Sequence, residues 1–419
     1  MDELLNKYVP IVGRGRIEQL KQIAKSLKGM KVVHVNSTRS GGGVAEILTT
    51  MVPFMNELGL EACWEVVEGD LEFFKCTKSF HNSLQGMPIS IHPSILQHYE
   101  TINQGNAERL AGLLAEADIV VIHDPQPLPL IAHFPHRKGK WIWRCHIDVS
   151  QPYQPTWNYL EQFISKFDAV IFSLEEFAKP LAKPMYLIAP SIDPLSQKNI
   201  ELSENEVKGV YGMFGLDPER PILLQVSRFD RFKDPLGVIE AYRLAKKYHS
   251  SLQLVLAGGT ATDDPEGEAI LQEVELAKGN DPDVHVLVLP PDSSRIINAL
   301  QRVVLIVIQK SLKEGFGLTV SEAMWKYKPV IGGNVGGIRT QIIDYHTGFL
   351  VNTFEGAANR IRFLFENKDK INEMGQEARE FVTEKFLITR NLIEYLSLFV
   401  LLHFPDHDRI ELSEVSIKK

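Results

Sequence analysis

The sequence predicts an α/β protein built from two Rossmann-like domains. Three observations point there. Short, β-branched apolar runs alternate with amphipathic helical stretches from end to end, the pattern of parallel sheets covered on both faces. About a dozen such runs are too many for one ordinary sheet, so two sheets are expected. Between the two sets lies Ala189-Pro-Ser-Ile-Asp-Pro194, a Pro-punctuated stretch without periodicity that splits the chain into halves of similar size.

In the first half the expected strands are Val32–Asn36, Cys63–Val67, Ile119–Ile122, Trp141–Cys145, Ala169–Phe172 and Tyr186–Ile188. In the second half they are Ile222–Val226, Leu252–Leu256, Val284–Leu289, Val303–Val307, Pro329–Ile331 and Phe349–Val351. Helical spacing marks Val44–Glu57, Asn106–Glu116, Pro235–Tyr248 and Leu318–Tyr327 between them. The stretch Phe386–Phe404 is helical and follows the last strand, and Glu411–Lys419 is expected to fray. The expected domains are residues 1–190, residues 191–385 and a C-terminal helical segment, 386–419.

Composition narrows the function. The chain has 419 residues, 44% hydrophobic and 23% charged, ordinary values for a globular protein. The net charge of −8, with no basic stripe, argues against a nucleic-acid binder. Cys63, Cys76 and Cys145 form no Cys-x-x-Cys pair and read as small buried hydrophobes in a reducing compartment. The N-terminus has no signal-peptide pattern, and no apolar run approaches the roughly 20 residues that span a bilayer. A soluble, cytoplasmic protein is expected.

Ligands of open α/β sheets bind outside the carboxyl ends of the strands, so the loops after strands are where chemistry is sought. The first is Ser40-Gly-Gly-Gly-Val44, where Gly42 and Gly43 let a ligand approach the backbone and a helix N-terminus favours an anion. A flexible turn is the plain alternative. The second is His123-Asp124-Pro125-Gln126-Pro127, whose prolines hold the His–Asp pair at the sheet edge. Asp124 there either hydrogen-bonds a sugar hydroxyl, acts as a base or caps a helix. The third is Trp141-Ile-Trp-Arg-Cys-His146-Ile-Asp148. Alternation separates the tryptophans and Cys145 from Arg144 and His146. His146 is either a site residue at Asp124's edge or a satisfied core histidine, and Arg144 and Asp148 can pair with each other.

Three loops of the second half complete the set. After Ile222–Val226, Arg228 and Lys233 offer a fork of donors and a point charge suited to a diphosphate. Asp234 is expected to cap the next helix, with Pro235 in its first turn. A solvated basic loop, with Arg231 as its third cation, is the alternative. After Val303–Val307 comes Glu314-Gly315-Phe316-Gly317-Leu318-Thr-Val-Ser-Glu322. Two glycines free the backbone, a helix starts near Leu318, and two carboxylates flank that start. Either acid alone reads as solvent-exposed. Gly332-Gly-Asn-Val-Gly-Gly-Ile338 is a further glycine turn at the same edge.

Together these residues resemble the retaining glycosyltransferases that include sucrose synthases and bacterial glycogen synthases. The family's Glu–(seven residues)–Glu pattern around Gly-Phe-Gly matches Glu314 to Glu322. Within that family the stretches Val121–Pro127, Trp143–Asp148, Ala257–Gly267 and Gly336–Gln341 look most like the glycosyltransferring trehalose synthases and the related trehalose phosphorylases. The resemblance implies a GT-B fold, with two facing Rossmann-like domains and a deep interdomain cleft. It implies that Arg228 and Lys233 bind the donor diphosphate and that Glu322 holds the ribose. Glu314 and the amides of Gly315, Phe316, Gly317 and Leu318 would hold the donor glucose. Asp124 and His146 would contact the sugars, and Gly42 and Gly43 the diphosphate. Many members carry Gly-Gly-x-x-Glu, whereas Arg339-Thr-Gln341 follows Gly-Gly-Ile here.

The implied activity joins nucleoside-diphosphate glucose to free glucose with retention, giving trehalose, and is reversible. A trehalose phosphorylase and a non-catalytic sugar-nucleotide-binding protein are the alternatives. A front-face mechanism and a covalent glycosyl-enzyme both remain open. No obligatory cofactor or metal is expected, although Mg²⁺ can accompany the diphosphate. The expected partners are small molecules: nucleotide sugar, glucose and trehalose. Neither nucleic acid nor membrane is expected, and a homodimer is compatible with the resemblance.

Overall fold

A computed structural model describes residues 3–40, 42–259 and 266–404. The chain forms two compact units, Met1–Ser191 with Leu387–Lys419, and Ile192–Phe386. Each unit is an α/β assembly around a six-stranded sheet whose assigned strand pairs are all parallel.

In the first unit the strands are β1 (Lys31–Asn36), β2 (Glu61–Val66), β3 (Ile119–His123), β4 (Lys140–Arg144), β5 (Ala169–Phe172) and β6 (Met185–Leu187). They lie in the order β2-β1-β3-β4-β5-β6. One face of this sheet is strongly apolar. Val33, Val35, Val120, Ile122, Trp141, Trp143 and Phe172 alternate along their strands and bury against Phe73, Phe80, Tyr99, Leu160 and Phe163 of the covering helices. The opposite face carries His34, His123 and Arg144, all buried. The last helix, Ile388–His403, packs against the first, Glu3–Ala24. It buries Leu392, Leu396 and Phe399 completely or nearly so.

In the second unit the strands are β7 (Ile222–Val226), β8 (Gln253–Gly258), β9 (Val284–Val288), β10 (Ile306–Gln309), β11 (Val330–Gly333) and β12 (Gly348–Val351). Their order is β12-β11-β10-β7-β8-β9. From β7 the chain winds outward through β8 and β9, then returns to the other side of β7 to place β10. Strand order therefore reverses between β7 and β10, the crevice where ligands of doubly wound sheets bind. The core joins alternate residues of these strands (Leu254, Leu256, Ile306, Ile308) to Val238, Ile239 and Tyr242 of the helix Pro235–Lys246 and to Ile361 and Leu364 of the helix Phe354–Glu366.

All twelve expected strands are present, Ala169–Phe172 and Ile222–Val226 with the expected ends and the others with shifted ones. The largest shift is β10. Val303 closes the helix Ser294–Val303 instead of opening the strand, because the apolar run Val303–Val307 bridges a helix end and a strand start. The helix expected over Asn106–Glu116 is also corrected. The structure has a helix Pro93–Arg109, started by Pro93 and the His92 cap, then a short helix Ala111–Glu116, with Leu110 out of helical geometry between them. The expectation for Glu411–Lys419 lies outside the described residues. No helix among the described residues is long and apolar enough to cross a membrane. The three cysteines are free, two buried and Cys63 half-buried.

Candidate active site

In the second unit, the loops after β7 and β10 meet at the strand-order reversal and are tied together at four points. Leu312 N–H donates to Phe232 O at 2.7 Å. Thr319 Oγ1 donates to Val226 O at 3.1 Å. Lys233 Nζ pairs with Glu314 Oε2 at 2.5 Å, and buried Lys310 pairs with Asp234. Asp234 also caps the helix Pro235–Lys246, its Oδ1 accepting from Gly237 N–H at 3.1 Å. Its own backbone is left-handed, φ 53°. Arg228 is half-buried on the same loop, while Arg231 is exposed and pairs with Glu273.

The helix Leu318–Trp325 begins at Gly317, φ 85°, and no side chain caps it. Three α-helices of this unit carry side-chain caps, from Ser203, Asp234 and Thr353, and the others described share the uncapped start. An uncapped helix start beside Lys233 suits an anion. Neither flanking acid is solvent-exposed. Glu314 is 7% and Glu322 2% accessible. Ser311 Oγ donates to Glu314 Oε2 at 3.3 Å, and Lys198 Nζ lies 3.8 Å from Glu322 Oε1. Behind Glu322, Lys326 is buried, donating to Asn199 Oδ1 at 2.8 Å and to Glu322 O at 3.0 Å, and burial lowers it to about 7. Phe316 turns its ring inward onto Phe386, centroids 5.5 Å apart, so only its backbone faces the loop.

The glycine turn after β11 braces this loop. Gly337 N–H donates to Glu314 O at 3.1 Å. A Cβ on Gly337 would lie 2.3 Å from Phe316 Cα, so this contact requires glycine. Gln341, fully buried, donates through Nε2 to Phe316 O at 2.6 Å and Gly337 O at 3.2 Å, and its Oε1 accepts from Ser321 Oγ at 2.5 Å. Thr340, at the Glu of the wider pattern, is exposed and donates to Gly337 O at 2.9 Å. The turn thus serves the Gly315–Gly317 backbone through Gln341.

In the first unit, strand order reverses between β1 and β3. After β1, Gly42 (φ 122°) precedes the helix Gly43–Glu57, which also lacks a side-chain cap. Gly41 lies outside the described residues, as do residues 260–265 of the stretch Ala257–Gly267. After β3, Asp124 takes a left-handed backbone, φ 61°. Its Oδ1 accepts from His146 N–H at 2.7 Å, and its carbonyl accepts from Trp143 Nε1 at 3.1 Å. Asp124 and His146 are therefore in direct contact, and Asp124 caps no helix. Burial pushes the Asp124 carboxyl up to about 7. Burial, with the Arg144 cation beside it, holds His146 well below the ordinary imidazole range. Arg144 does not pair with Asp148. Its Nη2 donates to Ser173 Oγ at 3.2 Å, and Asp148 Oδ1 accepts from Ser150. His123 joins His146 on one side and His34 on the other, ring nitrogens 3.0 Å apart at each contact.

His34 and Lys310 had no signal in the sequence beyond ordinary core or loop patterning, and Gln341 showed only as part of a departure from the Gly-Gly-x-x-Glu pattern. Two Asp-x-Asp pairs occur. Asp281 and Asp283 are engaged by Lys246 and Arg220, and Asp406-His-Asp408 lies outside the described residues. Among the described residues no group of three or more His, Cys, Asp or Glu side chains is placed to hold a metal.

Two doubly wound sheets, one of them with cations, buried acids and an uncapped helix at its switch point, fit a glycosyltransferase of the GT-B type. Comparisons with known proteins agree. Residues 34–179 match the model "Trehalose synthase, N-terminal domain", and residues 213–381 match "Glycosyl transferases group 1". The chain is 46% identical over 398 residues to a trehalose synthase of Thermococcus litoralis, covering 94% of this chain and 96% of that protein. It is 43% identical to one of Rubrobacter xylanophilus, at 94% and 96% coverage. A trehalose phosphorylase of Grifola frondosa is 29% identical, with 95% of this chain and 61% of that protein covered. Among solved structures, "Trehalose-6-phosphate synthase. OtsA" matches with a TM-score of 0.72 at 15% identity, covering 88% of this chain and 98% of that one, a likeness of fold. The chain belongs to the trehalose synthase family of glycosyltransferases.

Proposed function

We propose that the chain is a retaining glucosyltransferase that makes trehalose from a nucleoside-diphosphate glucose and free glucose, reversibly. The observation that carries this reading is the stitched pair of loops after β7 and β10. Lys233 keeps two of its three ammonium donors free of Glu314 for phosphate oxygens. Arg228 adds a guanidinium fork, and the uncapped start of the helix Leu318–Trp325 adds backbone N–H groups. These groups stabilise the charge that grows on the departing diphosphate. Glu322 accepts from the ribose hydroxyls. Glu314, with the backbone of Gly315–Leu318, holds the donor glucose.

In the first unit, Gly42 and Gly43 leave backbone open at a second uncapped helix start, which suits an anion. Asp124 and His146 contact sugar hydroxyls. A carboxyl near pH 7 suits that task, because it accepts a hydrogen bond when ionised and donates one when protonated. The relatives named as trehalose synthases support the product, and the two buried carboxylates around Gly-Phe-Gly support a nucleotide-sugar donor.

The test is product analysis. Purified protein is incubated with glucose and, in turn, UDP-, ADP-, GDP- or TDP-glucose. The expected product is a non-reducing disaccharide, with release of the nucleoside diphosphate. Phosphate-dependent cleavage of trehalose, without synthesis from any nucleotide sugar, would replace this reading with a phosphorylase. Nucleotide-sugar binding without turnover would replace it with a binding protein.

A further inference from the structure

Three imidazoles climb the first sheet like a stair. His34 lies on β1, His123 ends β3 and His146 follows β4. His34 pairs in register with Val121, and His123 with Arg144. Each histidine therefore sits one strand over and two residues further on than the last, which keeps all three on one face. His34 Nδ1 lies 3.0 Å from His123 Nε2, and His123 Nδ1 lies 3.0 Å from His146 Nε2. Ring centroids are 5.3 Å apart at both steps.

A proton relay needs an exit, and this chain has none at its inner end. His34 is 0% exposed, and its Nε2 has no hydrogen-bond partner among the described residues. Burial lowers all three rings, His34 to about 3, so each is neutral and carries a single N–H. Two consecutive ring-to-ring bonds then allow only two arrangements. Either every ring holds its proton on Nδ1, or every ring holds it on Nε2. The closed end selects between them. With Nε2–H throughout, His34 would bury an N–H donor without an acceptor, the rarer and costlier defect. With Nδ1–H throughout, only a bare ring nitrogen is left there. Asp124 does not interfere, since it accepts from the backbone N–H of His146 and not from its ring.

We propose that His34 and His123 are positioning residues that lock His146 in its Nδ1–H tautomer, so that the sugar site is offered an imidazole donor and not an acceptor. His146 alone of the three is half-buried, at the site edge of the array. The inference rests on the reading of His146 as a sugar-contacting residue, and it adds what that residue presents: selectivity for a hydroxyl oxygen that accepts.

The experiment uses the full-length protein with ¹⁵N-labelled histidine. Long-range ¹H–¹⁵N spectra of the ligand-free protein distinguish a protonated from a bare ring nitrogen at His146. Nδ1–H is expected in the wild type. In His34→Asp the inner end accepts where His34 donated, so His123 should hold Nε2–H and His146 should shift to Nε2–H. The value of kcat/KM should fall about tenfold, the worth of one hydrogen bond. His34→Asn, whose amide N–H stands near the former Nδ1, should keep both as in the wild type. A wild-type His146 bearing Nε2–H overturns the proposal even if His34→Asp does not fold. So does a folded His34→Asp with an unchanged His146 tautomer. An Nδ1–H His146 whose removal in His146→Ala leaves turnover intact would instead refute the site reading alone.

Discussion

Asp124→Asn is the substitution whose effect follows most directly from the structure. Burial raises the Asp124 carboxyl from 3.8 to about 7, against the smaller opposing pull of the His146 backbone bond and the Arg144 cation. The folded protein thus binds this proton more tightly than the unfolded chain. That stabilisation is complete below about pH 4 and is lost as pH rises through 7, and at about 1.4 kcal/mol per pH unit it amounts to about 4 kcal/mol. The histidines run the other way, since His34, His123 and His146 are neutral when folded and take up protons when unfolded at acid pH. Comparing the two proteins cancels that term. Asn does not titrate, its Oδ1 can still accept from His146 N–H, and it tolerates the left-handed backbone. The advantage of Asn over Asp should therefore grow by about 4 kcal/mol between pH 4 and 8. Urea unfolding followed by tryptophan fluorescence measures it in the correct unit, because Trp64, Trp141, Trp143 and Trp157 all lie there. A difference that is flat with pH, or that favours Asp at high pH, would refute the reasoning.

Two further substitutions probe the other unit. Lys233→Met strands the Glu314 carboxylate, whose side chain is 8% exposed, and should lower stability by about 3 kcal/mol in denaturant titration. Under the proposed function it should also raise KM for the nucleotide sugar by at least about tenfold, the worth of one charge-assisted hydrogen bond. Gly337→Ala forces a Cβ to within 2.3 Å of Phe316 Cα and 2.7 Å of Gly315 O, backbone atoms that cannot swing away. A loss of about 2 kcal/mol in thermal unfolding is expected, with reduced turnover because the Gly315–Gly317 loop moves.

The fold was legible because strands buried on both faces write themselves as continuous β-branched runs. The same signal misplaced β10, since Val303-Val-Leu305 is equally apolar at the end of a helix. Glu314, Glu322, Arg228 and Lys233 stood out because acids and cations beside glycines at a strand end have no packing reason to be there. The burial of both acids was not legible, since it depends on Lys233, Lys198 and the β11 turn. Gln341 was visible only as a departure, and its brace on Phe316 O joins residues 25 apart. His34 was hidden more deeply. A single histidine within an apolar strand reads as core, and its partner is 89 residues away.

The helix Ile388–His403 belongs to the first unit although the whole second unit precedes it. The second unit is thus an insertion whose two ends meet, Ile192 N–H donating to Phe386 O at 2.8 Å. Order of synthesis then becomes a constraint on assembly. The helix Glu3–Ala24 leaves the ribosome long before the helix that covers it, by on the order of half a minute at ordinary rates. Until then the surface that Leu392, Leu396 and Phe399 will bury stays open, at about 2 kcal/mol of apolar burial per side chain. The second unit, with both ends at one point, can close as soon as Phe386 emerges. The domain begun first is therefore the last to be finished, and a chain truncated before Leu387 would leave it unsealed while the second unit is complete.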